Sequence, residues 1–341
     1  MTTTSAALQT VAVLGSGGWG TALAVHLGGL GKQVRLWGRD PVLVAGMLAE
    51  RENRIYLPAV ELPQAVHPTN SLEEALSGAM CVVAAIPSHG TREVLRSAAS
   101  AIADDAVIVS ATKGLEVGTL LRMTEVIEQE LGSSRQVAVL SGPSFSKEFA
   151  QELPTAVCVS GRCGATVEAV QREFRSHSFR LYRTDDVVGV EIGGAMKNVI
   201  AIAAGVVESL GLGHNALSAL ITRGLAEISR LAVAVGGRRE TLAGLSGLGD
   251  LVLTCTGGLS RNRRLGLELG RGHSLDVVLA GMNTVAEGVR TTSAALELGT
   301  RHDVELPIAA QMAEVLAGRK EPRAAVEDLM LRRQRSEAET T

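Results

Sequence analysis

Val11-Ala12-Val13-Leu14-Gly15-Ser16-Gly17-Gly18-Trp19-Gly20-Thr21-Ala22-Leu23-Ala24-Val25-His26-Leu27 is the stretch that decides the fold. Four apolar residues run into a G-x-G-x-x-G turn, and a helix-compatible segment, residues 21–30, follows without a break. Each glycine has its own physical duty in such a unit. Gly15 permits the tight turn, Gly17 lets the backbone come close to a pyrophosphate, and Gly20 lets helix and strand pack closely. The phosphates would rest on the unclaimed N–H groups at the helix start. In a chain with 38 glycines the spacing alone could arise by chance, and it is the strand–turn–helix setting that gives it weight.

Outward from this unit, short apolar runs alternate with amphipathic stretches. Strands are expected at 11–14, 34–37, 81–86, 107–110, 137–140, 156–160 and 179–182. Helices are expected at 21–30, 91–102, 120–131 and 167–176. Continuously apolar strands separated by helices indicate a mostly parallel sheet covered on both faces. Past about residue 189 the pattern becomes helical, at 190–210, 216–235, 260–269, 292–302, 307–317 and 323–331. The fold class is thus α/β then all-α: a Rossmann-type domain over 1–189, a helical domain over 190–335 and a tail over 336–341, with the boundary near 186–191. Gly193 and Gly194 inside an apolar helix pattern imply a close backbone approach there.

The chain has 341 residues, enough for two cores, and is 46% hydrophobic and 20% charged, an ordinary globular balance. Aromatics make up only 2%, so the core must be aliphatic. A formal charge of −3 offers no general attraction to nucleic acid or an anionic membrane, so any phosphate site has to be local. Cys81, Cys158, Cys163 and Cys255 lack paired C-x-x-C spacing; three of them sit in apolar or strand-like contexts and read as buried thiols of a reducing compartment, with a Cys158–Cys163 disulfide as the alternative. The polar, uncharged residues 1–10 carry no signal-peptide pattern, and a cytoplasmic location is the expectation.

The second strand leads into Trp37-Gly38-Arg39-Asp40, roughly 20 residues past the glycines, where ribose recognition belongs. An acid there favours a free 2′-hydroxyl and an arginine a 2′-phosphate. Arg39 is the expected contact, because Asp40-Pro41 reads as a helix start. Both NADPH and NADH remain open as the cofactor, with Arg39 tilting the choice to NADPH. Against this stands the plain alternative of a solvated arginine.

Hydride transfer between an alcohol and a ketone needs a group that moves the hydroxyl proton, and a lysine serves if its surroundings lower its pKa. The chain has five lysines. Lys113 follows a strand at its carboxyl end, where such sites open. Lys197 lies in Glu191-Ile192-Gly193-Gly194-Ala195-Met196-Lys197-Asn198-Val199, where it is either functional or snorkelling from an apolar helix. Asp250, within Leu245-Ser246-Gly247-Leu248-Gly249-Asp250-Leu251-Val252-Leu253, either orients a lysine or binds substrate hydroxyls, or is a helix N-cap. Ser260-Arg261-Asn262-Arg263-Arg264 opens a helix with a serine cap and arginines, which suits a phosphomonoester; the alternative is a solvated basic helix start, which the helix dipole disfavours. None of the seven histidines forms a metal-ligand pair, no metal is expected, and His89 reads as a loop residue. Ser144 and Ser146 lack a triad context.

Taken in order, GSGGWG at 15–20, ATKGLE at 111–116, SGPSF at 141–145, GGAMKNVI at 193–200, LGDLVLTCT at 248–256 and SRNRR at 260–264 resemble the bacterial-type NAD(P)-dependent glycerol-3-phosphate dehydrogenases. The resemblance spans roughly residues 10 to 331. It implies oxidation of glycerol 3-phosphate to dihydroxyacetone phosphate and the reverse, with glycerol phosphate supplied to phospholipid synthesis. It implies Lys197 as the proton acceptor in oxidation and donor in reduction. Lys113, Gly142, Ser144, Lys197, Asp250, Ser260, Arg261 and Asn262 would line the substrate site. Gly18, Trp19, Arg39, Lys113, Ser146, Arg261, Val285 and Glu287 would contact the cofactor beside Gly15, Gly17 and Gly20. The family commonly has serine at position 18, threonine at 144 and alanine at 146, so this chain departs there.

Two other readings compete. One is a different two-domain dehydrogenase acting on a hydroxy acid or sugar acid phosphate, which would have no use for residues 260–264 if its substrate lacked phosphate. The other is a catalytically silent dinucleotide sensor, which would need neither Lys113 nor Lys197. A helical second domain also raises the expectation of a homodimer.

Overall fold

The computed structural model describes residues 8–282, 286–334 and 336. The chain packs as two units. One comprises the residues up to 112 together with 123–187, and the other comprises 113–122 together with the residues from 188 onward. The expected division at 189/190 therefore misses one feature: Lys113–Arg122 leaves the sheet unit and packs with the helices.

In the first unit, β1 (Thr10–Leu14), α1 (Gly18–Gly29), β2 (Gln33–Trp37) and α2 (Pro41–Glu50) form the opening βαβα run. A small antiparallel ribbon, β3 (Glu52–Asn53) and β4 (Leu57–Glu61), follows, then β5 (Val66–Thr69), α3 (Leu72–Leu76), β6 (Cys81–Ala84) and α4 (Ser88–Ala98). The unit continues with β7 (Val107–Ser110), α5 (Met123–Leu131), β8 (Val137–Ser141) and α6 (Ser146–Ala150), and closes with β9 (Thr155–Ser160), α7 (Gly164–Phe174) and β10 (Phe179–Thr184).

Eight strands join in the order β10-β9-β8-β7-β6-β1-β2-β5. Every pair is parallel except β8 with β9. From β1 the chain winds outward through β2 on one side and returns through β6 on the other, so the glycine turn lies at the point where strand order reverses. Strand β5 escaped the sequence reading because His67 and Pro68 break its pattern. A proline is tolerated there because β5 is an edge strand.

The helical unit contains α8 (Val187–Ser209), α9 (Gly213–Ala234) and α10 (Arg239–Leu242), then a π-helical turn (Leu245–Gly249). It continues through α11 (Asp250–Thr256), α12 (Arg261–Gly270), α13 (Leu275–Ala280), α14 (Glu287–Arg301), α15 (Pro307–Leu316) and α16 (Pro322–Met330). Helix α8 is buried without interruption from Gly189 to Val207. By length and composition it could cross a membrane, but 89% of its apolar window is covered inside the protein, as befits the central helix of a core. Gly193 shows why no larger residue stands there: a Cβ would lie 2.6 Å from the Ser246 carbonyl oxygen.

The helix expected over 120–131 begins only at Met123. Leu120 adopts φ +64°, a left-handed backbone that ends any helix, and its side chain is buried in the helical core instead. His89 is exposed in the first turn of α4 rather than in a loop. All four cysteines are free; Cys81 and Cys255 are buried, Cys158 is half-buried and Cys163 is exposed.

Candidate active site

The glycine turn behaves as its spacing requires. Gly15 has φ +116°, and a Cβ there would meet the Ala85 carbonyl oxygen at 2.5 Å. At Gly20 a Cβ would collide with the Gly15 carbonyl, whereas at Gly17 it would meet nothing within 4 Å. Two glycines thus close the turn, and the third leaves an open approach to the start of α1. Asn53 braces the loop from the ribbon. Fully buried, it donates from Nδ2 to the Ser16 carbonyl and to Thr21 Oγ1, both at 2.8 Å.

Beside the loop, Trp19 packs against Phe149 with ring centroids 5.0 Å apart, and its buried Nε1 has no hydrogen-bond partner among the described residues. A Cβ at Gly18 would press on the Tyr56 carbonyl at 2.9 Å and reach Ser146 Oγ at 3.4 Å, so Gly18 and Ser146 are neighbours. At the end of β2, Arg39 is exposed. Asp40 is the N-cap of α2, accepting from the N–H groups of Val42 at 2.9 Å and Leu43 at 3.4 Å. At the end of β8, Gly142 has φ +146°, and Ser144 Oγ donates to its carbonyl at 2.8 Å.

The helical unit brings together residues far apart in sequence. Lys197 Nζ donates to Asp250 Oδ1 at 2.5 Å, and Lys113 Nζ donates to Asp250 Oδ2 at 2.7 Å. Asp250 has a fully buried side chain and is the first residue of α11 rather than its N-cap, and each of its carboxylate oxygens meets a lysine. Lys197 also donates to Thr254 Oγ1 at 2.9 Å, and that hydroxyl donates to the Asp250 carbonyl at 2.6 Å. Burial pushes Lys197 down to about 8, and the Lys113 ammonium adds to the effect while Asp250 opposes it. The Lys197 ammonium therefore gives up its proton more readily than an ordinary lysine would. The thiol of Cys255 is pushed up to about 12 by burial, which leaves it unreactive.

At the start of α12, Ser260 caps the helix by accepting from Arg263 N–H at 3.2 Å. The backbone N–H groups of Arg261 and Asn262 have no protein acceptor among the described residues. Arg263 is held by Glu208 at 2.8 Å, while Arg261, electrostatically linked to Glu287, and Arg264 are exposed at this helix end. Asn262 is buried, donates to Asn198 Oδ1 at 2.9 Å and accepts from Gly288 N–H at 3.0 Å. Val285, expected among the cofactor contacts, lies outside the described residues.

The family described as NAD-dependent glycerol-3-phosphate dehydrogenase N-terminus matches residues 10–166, and its C-terminal counterpart matches residues 186–327. The chain belongs to the NAD-dependent glycerol-3-phosphate dehydrogenase family. It is similar to the NAD(P)+ glycerol-3-phosphate dehydrogenase of Koribacter versatilis (strain Ellin345), 52% identical over 95% of this chain and 98% of that protein. The corresponding Myxococcus xanthus (strain DK1622) enzyme is 50% identical over 95% and 98%. Among solved structures, the glycerol-3-phosphate dehydrogenase of Coxiella burnetii superimposes with a TM-score of 0.91 at 40% identity, covering 95% of this chain and 99% of that one.

Within this dehydrogenase chain the expected site residues separate by unit. The glycine loop, Arg39, Gly142, Ser144 and Ser146 belong to the sheet unit; Lys113, Lys197, Asp250, Ser260, Arg261, Asn262 and Glu287 belong to the helical one. Sequence reasoning missed Asn53, Thr254 and Asn198. Thr254 could have been found, since it stands four residues after Asp250 and so on the same helix face. Asn53 and Asn198 carry no local signal, because each owes its place to a partner distant in sequence.

Proposed function

We propose that this NAD(P)-dependent oxidoreductase of the glycerol-3-phosphate dehydrogenase family interconverts glycerol 3-phosphate and dihydroxyacetone phosphate with Lys197 as its proton-transfer group. One observation carries the reading: a single buried carboxylate, Asp250, holds two ammonium groups at 2.5 and 2.7 Å. The open backbone at Gly17 and the free first turn of α1 fit the pyrophosphate of a dinucleotide.

Held at the glycine turn of residues 15–20, a nicotinamide dinucleotide would supply or receive the hydride at C2. Lys197 gives its proton to the C2 oxygen in reduction and takes it back in oxidation. With Lys197 at about 8, either direction is accessible near neutral pH. Asp250 and Thr254 hold Nζ in place, and Lys113 adds a second positive charge facing the negative charge that develops on that oxygen. The phosphate docks on the N–H groups of Arg261 and Asn262 with the Arg261 guanidinium beside it.

Arg39 favours NADPH, because Asp40 is committed to capping α2 and leaves no acid for the ribose 2′-hydroxyl. Four free thiols support a reducing cytoplasm as its place, with phospholipid synthesis as the use of its product. An all-helical second unit supports a homodimer, which light scattering would test.

The deciding experiment follows NADPH and NADH absorbance with purified protein and dihydroxyacetone phosphate, using unphosphorylated dihydroxyacetone as control. Oxidation that requires the phosphate is expected. Equal rates with both ketones, or none with either, would overturn the reading.

A further inference from the structure

We propose that the buried ion pair between Arg122 and Glu191 is the device that holds Lys113 at Asp250, which makes both partners positioning residues for the reaction. The inference rests on the role given above to Lys197.

Lys113 is carried by a strap of ten residues, 113–122, between two segments of the sheet unit. Just before it, Thr112 Oγ1 donates to the Ile86 carbonyl at 2.7 Å, so the strap departs from a fixed point. The strap closes on itself. Leu115 and Arg122 form an antiparallel bridge, Glu116 N–H donates to the Leu121 carbonyl at 2.9 Å, and Leu120 N–H donates to the Glu116 carbonyl at 2.9 Å. Leu115 and Leu120 bury their side chains in the helical core, the second at the expense of a left-handed backbone that a leucine rarely adopts.

Those two anchors are apolar, and burial of apolar surface has no preferred direction. It keeps the strap down without setting its rotation or its register. Direction comes from Arg122, whose Nη1 donates to Glu191 Oε2 at 2.7 Å, with side chains only 13% and 3% exposed. The bridge puts Arg122 opposite Leu115, two residues from Lys113. Glu191 lies on α8 six residues before Lys197, about 9 Å of helix rise. The helix that carries one lysine therefore also carries the acid that fixes the strap bearing the other.

A buried ion pair is seldom the most stable filling for such a position, since desolvation offsets much of its attraction. What it adds is a fixed geometry, and the place where geometry matters here is the Lys113–Asp250 contact. The groups facing Lys197 are Asp250, Thr254 and Cys255 from α11 and Lys113 from the strap. If the strap turns and Lys113 withdraws, Lys197 keeps its carboxylate but loses the neighbouring positive charge. Its proton is then held more tightly.

The test uses the full-length enzyme in three forms: unsubstituted, R122M/E191Q, which removes both charges together, and R122K, which keeps the pair. Three quantities are read: kcat for dihydroxyacetone phosphate reduction, the NADPH dissociation constant, and the titration of Lys197 Nζ by lysine-selective NMR, simplified by there being five lysines. In the double variant kcat should fall about tenfold or more, NADPH binding should stay within about twofold, and the Lys197 titration should move up by about half a unit or more. R122K should restore the titration and most of kcat. An unmoved Lys197 titration in the double variant overturns the proposal, even if kcat falls, because that would be general loosening. Failure of the underlying reading would show separately, in an unsubstituted enzyme whose rate does not follow Lys197.

Discussion

Asn262 reaches across to Asn198, donating Nδ2 to its Oδ1 at 2.9 Å, and so fastens the start of α12 to the residue that follows Lys197. Its own Oδ1 takes the Gly288 N–H at 3.0 Å, which ties in the first turn of α14 as well. The side chain expected to meet substrate is thus engaged with the protein through both its Nδ2 and its Oδ1. Arg261, one residue earlier, is exposed and has a guanidinium to offer.

These two neighbours should therefore fail in different ways. Arg261→Ala removes charge from the docking end and should raise the KM for dihydroxyacetone phosphate about tenfold or more, with kcat held within about threefold. Asn262→Ala releases α12 from α8 and should lower kcat as well as raise KM. Steady-state kinetics on both variants decide the matter, and identical patterns would remove the distinction.

Replacing Lys197 tests the proton step directly. Lys197→Ala should cut turnover about 10²–10⁴-fold while NADPH binding stays within about twofold. The pH dependence follows from a lysine lowered to about 8. Reduction needs the ammonium form, so its kcat/KM should fall as pH rises through about 8. Oxidation needs the neutral amine and should rise over the same range. Parallel pH profiles in the two directions would be incompatible with the assignment.

Cofactor choice should turn on position 39. Arg39→Asp replaces the charge that suits a 2′-phosphate with an acid that suits a free hydroxyl. The ratio of kcat/KM for NADPH over NADH should drop at least about tenfold. Asp40→Ala, which removes only the cap of α2, should lower stability by about 1 kcal/mol and leave that ratio alone. A ratio insensitive to Arg39→Asp would return Arg39 to the solvent.

The glycine loop allows a cleaner contrast, because two of its members have opposite surroundings. Gly20→Ala forces a methyl group into the Gly15 carbonyl and should destabilise the sheet unit by about 1–3 kcal/mol, read as a lower unfolding midpoint. Gly17→Val adds bulk where no protein atom lies within 4 Å, so folding should survive while the NADPH dissociation constant rises about tenfold or more. Unchanged NADPH affinity in the second variant would mean that the pyrophosphate does not pass there.

Away from the reaction, Glu227 on α9 is buried and accepts the N–H groups of Ile308 at 2.9 Å and Ala309 at 3.0 Å at the start of α15. Burial pushes its carboxyl up to about 7 against the pull of those two donors. The folded chain then holds a proton that the unfolded chain releases near 4.5, so this stabilising contribution is complete below 4.5 and lost as pH rises through about 7. Glu227→Gln cannot lose it. The variant should be less stable than the parent at pH 5 by on the order of 1–3 kcal/mol, with the gap narrowing at pH 8. Denaturant melts at both pH values check this, and an equal gap would refute it.

Much of this was written in local pattern. A strand, a glycine turn and a helix in immediate succession need only neighbouring residues to be recognised, and the change from alternating strands and helices to helices alone is a matter of periodicity. Lys197 and Asp250 stood out because a charge inside an apolar, glycine-rich run is costly unless something answers it. The Ser260 cap and the Asp40 cap were likewise legible, since a cap is a contact made within one turn.

Tertiary structure decided what answers those charges. Asp250 meets Lys197 across 53 positions and Lys113 across 137, and no local signal could choose between a lysine partner and a helix cap. The same holds for the strap. Residues 113–122 follow a β-strand, and a helix was expected from 120, yet Leu115 and Leu120 pack into the core of the helical unit, among residues from 192 onward. Strand β5 became a strand through pairing with β2 at a sheet edge, despite its proline. The sequence by itself determined which residues were capable of the chemistry, because that capability lies in residue type and near neighbours. Which of them meet was decided by burial and hydrogen bonding between segments that only the folded chain brings together.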